Sequence, residues 1–207
     1  MTIKTAFFDI GGVLGTNGWD RYHRREASEL FGLDHEDYTR RHDEVVPAWE
    51  EGLMSLDQYL DRTVFVRPRA FTPEEFKQFM YTRSVAFPES IAVAAELAKT
   101  RSVRMCIASN ESSELSRYRV RLFGFPSIFD TFLASCWVGV RKPAAIYYER
   151  IMAITATRGE ECLFVDDREE NLVAARALGF VVIHYESADQ LRRELASAGL
   201  PLNNNQG

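Results

Sequence analysis

Ile3-Lys4-Thr5-Ala6-Phe7-Phe8-Asp9-Ile10-Gly11-Gly12-Val13-Leu14 carries an apolar run onto a carboxylate and then into a glycine turn. The run reads as a buried strand that delivers Asp9 to its end. Glycines there leave the backbone open, so a second group can approach closely. A carboxylate in that position can serve as a nucleophile or as a metal ligand. Taken alone it can equally stabilise a turn.

Working outward, strands and helices alternate from about residue 88 onward. Residues 103–109 read as a buried strand ending at Ser109, followed by a helix over 112–123 stopped by Gly124. A short strand is expected at 131–134. A helix is expected over 143–154, with Pro143 near its start and Ile146, Tyr147, Arg150, Ile151 and Ile154 along one side. Residues 162–165 form the next strand and deliver Asp166-Asp167. A helix over 169–178 closes on Gly179, and 180–184 returns to strand. Ser187 opens the last helix, with Gln190 completing a capping box and Gly199 ending it. The tail 203–207 is expected to fray.

This rhythm predicts an α/β fold: a doubly wound parallel sheet covered by helices on both faces. Ligands of such sheets bind beyond the carboxyl ends of the strands. Asp9, Ser109 and Asp166-Asp167 all fall there. Residues 16–86 break the rhythm and read as a small all-helical insert. Thr72-Pro73-Glu74-Glu75 is a helix start with a cap, a proline and first-turn acids, followed by Phe76, Phe79 and Met80 on one face. Ser55 opens another helix carrying Leu56, Tyr59 and Leu60. The expected organisation is a core of residues 1–15 and 87–207 around an insert of 16–86.

Composition limits the function. The chain has 207 residues, 46% hydrophobic and 27% charged, with net charge −5. No basic field is present to hold nucleic acid or an anionic membrane. No apolar stretch approaches the ~20 residues of a membrane span. The first apolar run belongs to a strand, so no signal peptide is expected. Cys106, Cys136 and Cys162 are odd in number and share no metal spacing. They read as reduced core thiols of a cytoplasmic protein.

Four motifs occur in order: FFDIGGVL with Asp9, CIASN with Ser109-Asn110, GVRKP with Lys142-Pro143, and FVDDREEN with Asp166-Asp167 and Asn171. Together they make the chain resemble the haloacid dehalogenase superfamily of hydrolases, in its phosphatase branch with a small helical cap. The resemblance covers the whole chain and has the helical insert at the cap's position. It implies a metal-dependent phosphohydrolase acting on a small phosphorylated metabolite. Asp9 would be the nucleophile that forms an aspartyl-phosphate, with Ser109 and Lys142 beside it. Asn110 and Gly11 would lie against substrate. Mg²⁺ would be held by Asp9, the Gly11 carbonyl and Asp167, with Asp166 behind them or acting through water, and Asn171 would steady the acidic loop.

The chemistry is coherent with those residue types. Attack by a carboxylate on a phosphate monoester requires that the ester's charge be neutralised. A hard cation on carboxylate oxygens and a lysine both do so. Hydroxyl and N–H donors stabilise the phosphoryl oxygens.

One position departs from the family pattern. Phosphatases of this superfamily usually carry a second aspartate two residues after the nucleophile, as acid and base. Here that residue is Gly11. A sugar 1-phosphate, whose hemiacetal leaves easily, would need such help least. Gly11 also admits a metal-independent 2-haloacid dehalogenase, or a non-catalytic phospho-ligand sensor or protein-interaction domain on the same scaffold. The adjacent acids oppose the dehalogenase, since they would repel one another and Asp9 without a cation or proton among them. Within the insert, His23, Arg24, Arg25, Arg40, Arg41 and His42 read mostly as a solvated face, with one or two able to reach an anionic substrate. Trp19 reads as packing.

Overall fold

The computed structural model describes residues 2–202, and the tail 203–207 lies outside the described residues. Five strands form one sheet: β1 (Thr5–Phe8), β2 (Arg104–Ile107), β3 (Thr131–Phe132), β4 (Cys162–Asp166) and β5 (Val181–His184). Their order is β3-β2-β1-β4-β5, with every pairing parallel. The chain builds outward from β1 in one direction, then returns to add β4 and β5 on the other side. That reversal places the switch point between β1 and β4.

Alternation along β1 divides the core into two layers. Phe8 packs with Val93, Leu97, Phe129, Leu191 and Leu195 on one face, under α5 (Pro88–Thr100) and α10 (Ala188–Ser197). Phe7 packs with Tyr147, Tyr148, Ile151, Phe164 and Leu172 on the other, under α8 (Ala145–Thr155) and α9 (Glu169–Ala177). The helix α6 (Ser113–Leu122) begins at Ser112, whose side chain accepts from Leu115 N–H, and runs to Gly124, where the backbone turns left-handed.

Four helices lie between β1 and α5: α1 (Arg21–Phe31), α2 (His35–Glu50), α3 (Leu56–Thr63) and α4 (Pro73–Thr82). Both expected helix starts, at Ser55 and Thr72, form, and each closes a capping box, Ser55/Gln58 and Thr72/Glu75. These helices close on their own aromatic centre of Trp19, Tyr38, Trp49, Tyr59 and Phe76. The two chain passages joining them to the sheet run side by side: Thr16 N–H donates to the Val85 carbonyl at 2.9 Å, and Phe87 N–H to the Leu14 carbonyl at 2.9 Å.

Three local expectations need correction. The helix expected from Pro143 begins at Ala145, after a cis Lys142–Pro143 bond. Its buried face is Tyr147, Tyr148, Ile151 and Thr155, while Ile146 and Ile154 are exposed. The tyrosines can go inward because their hydroxyls find acceptors, the carbonyls of Leu133 at 2.6 Å and Asn171 at 2.9 Å. The last helix forms only half a capping box: Ser187 accepts from Gln190 N–H, but the Gln190 amide oxygen reaches back to Glu186 N–H instead. Finally, the strand expected at 131–134 keeps two residues, and a one-turn helix, α7 (Ser135–Val138), follows it.

Candidate active site

Parallel register assembles the site. Phe8 lies opposite Ile107 and Val165, so the next residues, Asp9, Ala108 and Asp166, stand level across three neighbouring strands. Asp9 N–H still donates to the Val165 carbonyl at 3.0 Å, and Ala108 N–H to Phe8 at 2.8 Å. Level residues on parallel strands project to the same side. Asp9 and Asp166 therefore share a face.

Lys142 enters between them. Its Nζ lies 3.1 Å from Asp9 Oδ2 and 2.6 Å from Asp166 Oδ2, and donates to the Ala108 carbonyl at 3.0 Å. All three side chains are buried. The Lys142 backbone is clasped by Asn110, whose Oδ1 accepts from its N–H and whose Nδ2 donates to its carbonyl, both at 2.8 Å. Burial works to push Lys142 down, but the charges of Asp166 and Asp9 overcome it and hold the ammonium above its usual range. Burial pushes Asp9 up, against the charge of Lys142 and a hydrogen bond from Ser109. Asp9 Oδ1 accepts from Ile10 N–H at 2.7 Å.

The acidic doublet divides its work. Asp166 spends both oxygens: Oδ2 on Lys142, and Oδ1 on Arg168 N–H and Asn171 Nδ2, each at 2.9 Å. Asp167 does not, and its buried Oδ1 has no hydrogen-bond partner. Burial, then the charges of Asp9 and Asp166, raise the Asp167 carboxyl to about 6. Gly12 makes room for it: a Cβ there would stand 2.1 Å from Asp167 Oδ2, on a backbone already left-handed at φ +72°. One oxygen from each of Asp9, Asp166 and Asp167 lies within 4.8 Å of the others. Three carboxylates at that spacing, one holding an orphaned buried oxygen, are a donor set that fits a hard divalent cation.

Above them is a cavity of about 630 Å³, lined by Asp9, Gly11, Ser109, Asn110 and Lys142 from the sheet end, and by Asn17, Trp19, Arg24 and His42 from the insert. Trp19 is packed as expected, its indole N–H shared between the hydroxyls of Tyr38 and Tyr59 at 3.1 Å each, yet its edge also reaches the cavity. Arg40 and Arg41 are tied to Asp37 on the solvated side. His42 is buried, with Nδ1 2.9 Å from the Tyr59 hydroxyl, and burial followed by the charges of Arg24 and Arg141 pushes it down to about 3.

Sequence reasoning missed Asn17 and the buried pair Glu111–Arg119. A Cβ at Gly11 would meet Asn17 Oδ1 at 2.7 Å, so Asn17 occupies the space beside the residue where the family's second aspartate usually stands. Arg119 Nη1 meets Glu111 Oε2 at 2.7 Å, and its Nη2 donates to the Thr16 carbonyl at the start of the insert. Neither had a signal in the chain, because both depend on which loop faces which.

A parallel α/β sheet with a buried lysine–carboxylate cluster at its switch point is the arrangement of an α/β hydrolase. The family model for haloacid dehalogenase-like hydrolases matches residues 3–179, and the chain belongs to that family. It is 42% identical over 57 residues to the sesquiterpene phosphatase astK of Aspergillus oryzae, a stretch covering 28% of this chain and 29% of that one. The chain matches the first three curated relatives over less than a third of their own lengths. A phosphatase of Mycobacterium tuberculosis, MT3486, is 24% identical over 214 residues, covering 96% of both chains. Among solved structures, the HAD family enzyme bt-2542 of Bacteroides thetaiotaomicron, in complex with magnesium and inorganic phosphate, superposes with TM-score 0.75 at 18% identity, covering 89% of this chain and 94% of that one. The L-2-haloacid dehalogenase of Xanthobacter autotrophicus, with chloropropionic acid covalently bound, superposes with TM-score 0.61 at 20% identity, covering 96% and 84%. No helix of the described residues is long and apolar enough to cross a membrane.

Proposed function

We propose that the chain is a metal-dependent phosphohydrolase acting on a small phosphorylated metabolite. The observation that carries this reading is the convergence of three carboxylates within 4.8 Å, with Asp167 Oδ1 buried and unpartnered. Asp9, the Gly11 carbonyl and Asp167 would hold Mg²⁺, with Asp166 held behind them by Lys142 and Asn171. When bound, the ion supplies positive charge that lets an anionic ester approach an anionic cluster.

An Asp9 carboxylate oxygen attacks phosphorus, the phosphorus–oxygen ester bond breaks, and the alcohol leaves. Water then hydrolyses the aspartyl-phosphate, releasing inorganic phosphate and restoring Asp9. Lys142 keeps Asp9 ionised and oriented for the attack, and its ammonium again faces the carboxylate that hydrolysis restores. The Ser109 hydroxyl and neighbouring peptide N–H groups, that of Asn110 included, donate to the phosphoryl oxygens. Asn110 also fixes the Lys142 peptide. With Gly11 in place of an acid, the leaving oxygen takes its proton from outside the strand end, which favours esters of good leaving alcohols such as sugar 1-phosphates.

Residues 16–86 serve as the cap over a core of 1–15 and 87–207, excluding water during the first transfer. The phosphatase-named relatives support a phosphorylated substrate. The three cysteines are free thiols, which supports a reducing, cytoplasmic setting.

Turnover of p-nitrophenyl phosphate with and without Mg²⁺ tests the reading. Metal-dependent hydrolysis that is lost in Asp9→Asn supports it. Gly11 also favours a second reading, displacement of halide from a haloacid. Halide release without metal would replace the phosphatase with that reading.

A further inference from the structure

The cavity above Asp9 holds more positive charge than the phosphoryl chemistry uses. Lys142 is matched by Asp9 and Asp166, Arg119 by Glu111, and Arg141 by Glu50. Arg21 and Arg168, both exposed, also line the cavity without an ion pair among the described residues; so does Arg24, from the first turn of α1. It is half-buried. Its Nη1 donates to the Trp19 carbonyl at 2.8 Å, and its Nε is buried with no acceptor. An unsatisfied donor on a partly desolvated guanidinium is costly, and an incoming acceptor would relieve that cost.

Its neighbours leave the role open to a ligand. Burial holds His42 neutral, so it brings no positive charge to a second anion. Arg141, from the core loop ahead of Lys142, acts on the same imidazole, so the two arginines approach it from the insert and from the core. Trp19, Tyr22 and Val46 are the larger apolar or aromatic groups on the wall. A long hydrocarbon leaving group would strand the arginines there. The planar guanidinium fork matches a carboxylate or phosphoryl group instead.

We propose that the substrate carries a second anionic group, a carboxylate or another phosphoryl, and that Arg24 binds it while the reacting phosphate sits at Asp9. The proposal rests on the phosphatase reading for what occupies the Asp9 end. A ligand so held bridges the helical insert and the sheet, so its remote charge would favour the closed, water-excluding arrangement.

Calorimetry with non-hydrolysable phosphonates in Mg²⁺ tests it. Propylphosphonate supplies the phosphate mimic alone; 3-phosphonopropionate adds a carboxylate, and 1,3-propylenediphosphonate adds a second phosphoryl. The expected result is binding about tenfold or more tighter for at least one doubly charged ligand. The stronger of the two identifies the group. Arg24→Gln should collapse that gap, Arg24→Lys should restore part of it, and Arg25→Gln, an exposed neighbour, should leave it intact.

Equal affinity for all three ligands in the wild type, or a gap that survives Arg24→Gln in a protein of native circular dichroism, overturns the proposal. Hydrolysis of p-nitrophenyl phosphate, run in parallel, separates the two readings. A protein that hydrolyses the ester without an affinity gap refutes only the Arg24 site. A gap without hydrolysis refutes the phosphatase and keeps the anion site, and absence of any phosphonate binding refutes both.

Discussion

Lys142 Nζ bridges Asp9 Oδ2 at 3.1 Å and Asp166 Oδ2 at 2.6 Å, so one buried ammonium fixes the carboxylates of two adjacent strands. Replacing it by methionine keeps the stem but leaves two buried acids facing each other. We expect Lys142→Met to lower turnover by about 10²-fold or more, and stability by about 3 kcal/mol, since breaking a buried pair strands its partners. Steady-state kinetics and urea denaturation measure the two separately. Normal turnover would remove Lys142 from the chemistry.

Asp9→Asn preserves shape and removes the nucleophile. The Ile10 N–H can still donate to the amide oxygen, and the charge whose burial pushes Asp9 up is gone. Hydrolysis of p-nitrophenyl phosphate should vanish while the melting temperature stays within a few degrees of wild type, a shift of about 1 kcal/mol or less. Residual turnover would indicate direct attack by water.

Asp167 provides a pH signature. Its native carboxyl is raised from 3.8 to about 6, so the folded chain binds that proton more tightly than the unfolded chain. With chelator present, its ionisation removes stability as pH rises through that window, and the loss is complete above it. Mg²⁺ should return stability above pH 6 and do little below, where a proton competes for the same oxygen. Melting curves from pH 4 to 7, in chelator and in Mg²⁺, should show both effects in the wild type and both reduced in Asp167→Asn, where the raised carboxyls of Asp9 and Glu111 remain. Identical curves for the two proteins would exclude Asp167 from metal binding.

Gly12→Ala places a methyl 2.1 Å from Asp167 Oδ2 on a left-handed backbone. The carboxylate must move away from Asp9. We expect a stability loss of about 1–2 kcal/mol from the backbone alone, and a larger fall in the Mg²⁺-induced melting shift than in stability. An unchanged Mg²⁺ shift would mean that Asp167 need not stand where it does.

Arg119→Met leaves Glu111 buried without its partner and removes the donor to the Thr16 carbonyl. Burial already raises Glu111 despite that partner. The single change should cost about 3–5 kcal/mol, and adding Glu111→Gln should recover part of it. A double-mutant cycle in urea reads the coupling, and additive losses would show that the pair is not coupled.

Much of the fold was legible because local chemistry and tertiary packing agree. The apolar runs at 5–8, 104–107 and 162–165 became central strands, and helices begin at the expected Ser55, Thr72 and Ser112, each of which caps a backbone N–H. The face of α8 was not legible, since whether Ile146 or Tyr148 turns inward depends on acceptors supplied by Leu133 and Asn171, far along the chain. The candidate site divides the same way. Motif order brought Asp9, Ser109, Lys142 and the acidic doublet into view. Asn17, Glu111, Arg119 and the unmatched state of Arg24 had no pattern to announce them.

The sequence by itself determined the alternation of strands and helices, and hence that several polar residues would arrive at one end of a parallel sheet. Periodicity and capping are local, and a chain displays them before it folds. Only the tertiary structure decided which oxygen of which aspartate is already spoken for. It ties Asp166 to Lys142 and Asn171 and leaves Asp167 Oδ1 without a partner, because strand register and the space at Gly12 are set by segments about 150 residues apart.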